Sequence, residues 1–395
     1  MQNVESAAHR AALAGVIASN GVAAMAYGLL QPVLTIRLAH ADHSDLVIGA
    51  VASAWALGIV AGSPFYARII RRFGRKPSLL FGLFSAGMLM LLFTTTSQVM
   101  VWGLLQCIQG LAFGHFWVLS ESLINTWVAP SVRGRVASLY VTVLGVCGAL
   151  GPLWINVIGT GGVLPFVTCA ALLGVAATPL LWMQDSETRT EEAQQPPRHA
   201  AAILMAFPGL IVLGFAAGFA DHGPQSLLPP FALDMGATVH AVSLMLFAMA
   251  LGRALFVVPI GILADRSSLE RVLAACAATT AVLVVGVYLL WSHVWVALIL
   301  WFILGALFDA FYALGMTWIG HFVPAPDLPV ANTAFVVLHS LGGFGGTTLL
   351  GAVMDWWGPV GYPLAISGFA VPVALLWMQA AGRTRQRIRE TDGVV

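Results

Sequence analysis

Twelve apolar runs dominate the chain, each close to the roughly 20 residues that a helix needs to cross a hydrocarbon layer about 30 Å thick. In the first half they lie at approximately 11–34, 46–67, 78–97, 100–125, 136–158 and 162–183. In the second half they lie at approximately 203–231, 238–261, 272–291, 294–320, 331–354 and 362–381. A water-soluble core does not require so much apolar sequence. Hydrophobic residues make up 59% of the chain and charged ones 9%, where soluble domains carry about a quarter charged residues. Lipid is the solvent that fits. The runs lack the every-second-residue alternation of barrel strands, so they are expected to be helices. Gly and Pro inside them are tolerated because neighbouring helices re-satisfy freed backbone groups. The expected fold class is an all-α membrane protein with twelve transmembrane helices, spans 1 to 12. Span 1 is long for a signal-peptide core and shows no small-residue cleavage site, so it reads as retained.

The scarce charges are unevenly placed. Residues 68–77, RIIRRFGRKP, hold Arg68, Arg71, Arg72, Arg75 and Lys76 between spans 2 and 3. Lys and Arg in short loops stay on the cytoplasmic side. With both termini cytoplasmic, every one of the 18 basic residues falls inside except Arg37, which lies outside, and Arg253, within a span. The opposite orientation would put nearly all of them on the wrong side.

This basic turn has a partner between spans 8 and 9, where Gly261, Asp265 and Arg266 stand in GILADR. Arg72 and Arg266 are 194 positions apart, and LGVCG at 144–148 echoes LGGFG at 341–345 with an offset of 197. Duplicated six-span units are an architecture of secondary transporters, with the ligand site between the halves near the midplane. The expected organisation is a six-helix half over 1–183, a cytoplasmic linker over 184–200, a second six-helix half over 201–382 and a basic cytoplasmic tail over 383–395.

Twelve spans in two halves, a basic-Gly turn after span 2 and GILADR after span 8 together resemble the major facilitator superfamily. VLSESLINTW in span 4 followed by RGRVASLY at 133–140 is similar to its YcaD-like branch. The resemblance implies the superfamily's fold in the bacterial inner membrane. It also implies gating roles for Arg72, Gly74, Arg75 and Lys76 in the first-half turn and for Gly261, Asp265 and Arg266 in the second. The first copy departs from the pattern, with Ala67 for its glycine and Arg71 for its acidic residue; Glu121 near the end of span 4 is a substitute partner. Gly145, Gly148, Gly151 and Pro152 in span 5 resemble the G-x-x-x-G-P element of exporters and antiporters, and close helix packing explains them as well. Gln106 stands where family members usually carry an Arg linked to proton coupling, so coupling must run elsewhere.

Ionisable residues inside spans point most directly to function. One at a helix centre costs roughly 2.5–3.5 kcal/mol on insertion scales, so it faces a cavity and a partner. Asp309 in span 10 and Arg253 in span 8 are deep, and Asp221 with His222 precedes Gly223-Pro224 in span 7, where a bend is expected. Arg253 can pair with either aspartate, for transport or as a structural buried pair. A lone intramembrane His often just bonds a backbone carbonyl, and that is the plainer reading of His115 and His339. Gln106, Gln109, Phe113, Trp117 and Glu121 share one face of span 4, and Phe308, Phe311, Tyr312, Gly315 and Trp318 form a second stripe in span 10; cavity lining and plain packing fit both.

The four cysteines show no paired spacing, so neither a disulfide framework nor a metal site is indicated. No P-loop, HExxH helix or GxSxG elbow occurs in the sequence. The expectation is therefore a monomeric secondary transporter, not an enzyme, without cofactor, metal or nucleic-acid partner. Its partners are a small organic solute, the bilayer and a coupling proton. The partial G-x-x-x-G-P element and the aromatic stripes lean towards efflux of amphipathic compounds or metabolites. Arg253 leans towards import of an anionic metabolite that it could clamp, and a non-transporting sensor is the third reading.

Overall fold

The computed structural model describes residues 2–128, 133–183, 200–324 and 327–392. Among them no strand occurs. The first long helices are α1 (Gln2–His40), α2 (Asp45–Phe73), α3 (Arg75–Leu92), α4 (Val99–Trp127), α5 (Arg133–Ile158) and α6 (Leu164–Leu181). After a short α7 (Ala200–Ala206) come α8 (Pro208–Asp234), α9 (Val239–Arg266) and α10 (Leu269–Leu289). The chain closes with α11 (Val294–Phe322), α12 (Leu328–Trp357) and α13 (Gly361–Asp392).

Each expected span has its own long helix, with local corrections. Span 7 is not a single run, because Pro208 has no N–H and disfavours helical torsions in the residue before it. Phe207 accordingly sits at φ −127°, ψ 69° between α7 and α8. The helix of span 3 stops at Leu92, where the hydroxyls of Thr94 and Thr95 donate to the carbonyls of Leu91 and Leu92. No break occurs at Gly223-Pro224, since α8 continues through Pro224, Pro229 and Pro230. Residues 184–199 lie outside the described ones. The backbone beyond 382 continues α13 to Asp392.

By length and composition ten stretches qualify as membrane spans, and the last, Val330–Gly382, contains both α12 and α13. Only α8 among the twelve long helices is missing from them. It carries Asp221, His222, Gln225 and three internal prolines, so protein neighbours, rather than lipid, must shield it. Exposed Trp295, Trp356 and Trp357 mark one end of the bundle and Trp182 the other, the usual position of aromatic belts.

Duplication shows in local chemistry. Ser44 and Thr238, 194 positions apart, cap α2 and α9 by accepting from the N–H groups of Val47 and Ala241. Gly58 and Gly110 let α2 cross α4 with backbones in contact, at Cys107 and Trp55. Gly252 and Gly305 do the same where α9 crosses α11, at Phe302 and Met249. Any side chain at these four glycines would collide with the facing backbone.

The halves meet along two seams, α2 with α12 and α5 with α9. Asp355 on α12 accepts from the N–H groups of Asp45 (2.7 Å) and Leu46 (3.1 Å) at the start of α2. Further along, Gly49 packs against Thr347 and Gly351 against Asp45. In the other seam Ser243 Oγ donates to Asn156 Oδ1 at 2.8 Å, and Gly145 lies against Ala254. All of these contacts lie between mid-helix and the end away from the basic α2–α3 turn.

Candidate functional site

Asp221 is the middle residue of α8, and Arg253 and Asp309 sit near the middle of α9 and α11. Arg253 Nη1 lies 2.6 Å from Asp221 Oδ1, and its Nε lies 3.7 Å from Asp309 Oδ1. A second guanidinium nitrogen, Nη2, donates to the backbone carbonyl of Asp221 at 3.4 Å. Two histidines flank the other carboxylate oxygen of Asp221: His222 Nδ1 at 3.6 Å and His339 Nε2, from α12, at 3.5 Å. One guanidinium thus serves two carboxylates, closely on one side and loosely on the other. The three charged side chains keep 20–25% exposure, so the cluster borders open space and is not sealed in a core.

Aromatic rings hold the histidines. Trp55 of α2 meets the His222 ring edge-on with centroids 5.0 Å apart, and Tyr312 meets His339 at 5.2 Å. Gly343 of α12 faces His222 so closely that a side chain there would overlap the ring. Trp55 makes this the place where the first half touches the charged cluster.

The first half contributes polar and aromatic side chains, of which Gln106 and Gln109 are fully buried. Gln106 Nε2 donates to Gln31 Oε1 at 3.2 Å, and Gln109 Nε2 donates to the Tyr27 hydroxyl at 2.7 Å. The Tyr140 hydroxyl donates to Asn20 Oδ1 at 3.4 Å. Tyr27 packs against Phe113 with centroids 3.9 Å apart and the rings tilted by 35°. The acid of α4, Glu121, accepts from Trp117 Nε1 at 2.8 Å. Glu121 is therefore engaged on its own helix, and no ion pair of the described residues joins it to the 68–77 turn. Its partner among the described residues is the indole one turn earlier on the same helix.

Within the turn itself, Gly74 adopts φ 84° and lets α2 end where α3 begins. Lys76 Nζ donates to the Leu181 carbonyl at 2.5 Å, and Arg72 lies over the Phe73 ring at 5.7 Å. Gly261 has open space beside it, and Arg266 is exposed. Arg75 is the first residue of α3. The Asp265 side chain lies outside the described ones. In α5 the Gly148 carbonyl and Gly151 lie against Gly28 of α1, and Pro152 follows inside the helix.

Sequence reasoning singled out the charges and passed over Tyr27, Gln31 and Trp55, which are neutral. His339, expected to do no more than bond a carbonyl, reaches Asp221 instead. His115 is buried with no hydrogen bond at either ring nitrogen, beside Tyr66. Three groups, Asp221, His222 and His339, place ligand atoms within 4.8 Å of one another, close enough for a metal ion. The guanidinium 2.6 Å from the same carboxylate already supplies its counter-charge and would repel a cation there.

Two segments, 16–231 and 210–393, match the model of the Major Facilitator Superfamily. The chain belongs to the major facilitator superfamily. It is a multi-pass membrane transporter, not an enzyme. Among relatives, the uncharacterized MFS-type transporter YfkF of Bacillus subtilis is 26% identical over 347 residues, covering 85% of each chain. The uncharacterized MFS-type transporter YcaD of Escherichia fergusonii is 25% identical, covering 84% of this chain and 86% of that one. The fold resembles the nucleoside transporter NupG, with TM-score 0.73, 14% identity, and 93% of this chain and 98% of that chain covered. It also resembles a D-xylose-proton symporter, with TM-score 0.71, 13% identity, and 92% and 96% covered.

Proposed function

We propose that this transporter exports a small organic solute by alternating access and draws on the proton gradient through Asp221, Arg253 and Asp309. The observation that carries the reading is the single guanidinium between two mid-membrane carboxylates, 2.6 Å from one and 3.7 Å from the other. A carboxylate in low dielectric binds a proton when its cationic partner leaves and releases it when the partner returns. Arg253 moving between Asp221 and Asp309 as the halves rock couples proton movement to solute movement. Import of an anionic metabolite is less favoured, because its carboxylate would have to displace an aspartate from Arg253.

In this reading the protein works as a monomer with both termini cytoplasmic. The seams then lie on the outer side and the cavity opens inwards. GILADR and the basic turn are the opposite, inner latch, which closes when the cavity turns outwards. A periplasm-dependent reporter joined after Val395 stays silent if the orientation is right; activity there reverses it.

The coupling test is flux in proteoliposomes of known internal pH. Asp309→Asn abolishes gradient-driven accumulation while downhill exchange of the same solute persists. Uphill transport at the wild-type level removes Asp309 from the pathway, and absence of any flux in the wild type favours a sensor.

A further inference from the structure

We propose that the first-half wall of the cavity recognises a lipophilic organic cation through the Glu121 carboxylate and the aromatic rings beside it. This deepens the export reading and rests on it.

Glu121 is solvent-accessible and occupies the last two turns of α4. Tyr312 on α11, from the other half, is exposed as well, so a solute between the halves can meet both side chains. The ion pairs between two described residues all belong to the cluster around Asp221 and Arg253, and none of them includes Glu121. Its fixed partner is the neutral indole of Trp117, which holds one oxygen at 2.8 Å and leaves the other available.

A carboxylate inside a span normally faces a water-filled cavity and a partner. Here no ion pair of the described residues supplies that partner, and the carboxylate is held in place by an aromatic donor. Trp117, Phe113 and Tyr27 continue from it as a connected row of rings, with centroids 6.5 Å and 3.9 Å apart. Ring faces attract cations and shelter apolar substituents. A cation with apolar groups satisfies both halves of this chemistry, whereas a neutral solute leaves the charge unanswered. An anion would meet Glu121, Asp221 and Asp309, with Arg253 already shared between the two aspartates.

Equilibrium binding of tetraphenylphosphonium to the purified full-length transporter in nanodiscs tests this, with isosteric tetraphenylborate as the anionic control. The wild type binds the cation at least about tenfold more tightly than the anion, a difference of about 1.4 kcal/mol. Glu121→Gln removes that preference, Glu121→Asp retains it, and Trp117→Leu weakens cation binding about fivefold. Asp42→Asn, in the α1–α2 loop, binds as the wild type does. Equal binding of both ions by the wild type, or an unchanged preference in Glu121→Gln, overturns the assignment. If Glu121→Gln does not fold, the wild-type comparison of the two ions and the Glu121→Asp variant decide. Proton-driven flux of another solute without tetraphenylphosphonium binding refutes this site alone. Cation binding without any coupled flux refutes the coupling reading and leaves the site standing.

Discussion

Where α2 crosses α4, Ile59 packs against Gly114; where α9 crosses α11, the matching positions hold Arg253 and Asp309. The correspondence follows from the crossing glycines, since Gly58 and Gly110 become Gly252 and Gly305 with offsets of 194 and 195. One fold thus contains its own control. The first crossing packs closely with no charge, so backbone contact at a duplicated crossing does not depend on an ion pair. The charges in the second half are an addition to a scaffold that packs without them, which supports the proposed transport role over a purely structural one.

The strongest way to break the comparison is to write the first half's residue into the second. Arg253→Ile leaves Asp221 and Asp309 facing each other without a counter-charge. Transport falls by about 100-fold or more, and stability drops by about 1–3 kcal/mol, less than for a sealed pair because water reaches the cluster. Flux in vesicles and the melting temperature in detergent measure the two effects. Adding Asp309→Gly recovers part of the melting temperature and none of the transport. Recovery of transport would return the charges to a structural role.

A smaller effect separates the seams. Asp355 caps the start of α2 across the halves, whereas the matching contact in the other seam is the neutral pair Ser243 and Asn156. Asp355→Ala removes a cap of about 1 kcal/mol, which corresponds to roughly a fivefold shift towards the state open at that end. Labelling of a cysteine placed in the seam reads the shift. Labelling unchanged from the wild type means that the glycine contacts alone hold the seam.

The smallest effect belongs to the buried amide pair of the first half. Gln106→Leu loses one hydrogen bond to Gln31, about 1 kcal/mol. Flux falls about two- to fivefold with proton coupling intact. Loss of coupling would bring Gln106 back into the proton pathway.

The number of long helices and the charged candidates were legible in the sequence, because lipid imposes a length and makes each intramembrane charge conspicuous. The duplication was legible from Arg72 and Arg266. The echo of LGVCG in LGGFG was a weaker guide: the Gly148 carbonyl lies on the Gly28 backbone, whereas Gly345 meets only the tip of the Phe215 ring. What stayed hidden depends on lateral packing. Tyr27, Gln31 and Trp55 carry no charge and merge with apolar runs. Asp355 sits at a helix end, where an acid is unremarkable until α2 is seen beside it. Glu121 was visible as a charge, but its partner depended on a rotamer that brings Trp117 within reach.

The position of Asp221 at the middle of α8 also bears on how the protein is made. During synthesis each helix leaves the insertion machinery in turn, and a central Asp opposes that step by roughly 2.5–3.5 kcal/mol. The internal prolines add to the difficulty. The next helix out, α9, brings Arg253 only 32 residues later, and pairing lets both partition as a hairpin with their charges matched. A nascent chain ending after α8 should therefore insert that helix poorly, and one ending after α9 should insert it well. On this view the ion pair acts first as a clasp between two newborn helices, before any part it plays in the proposed transport cycle.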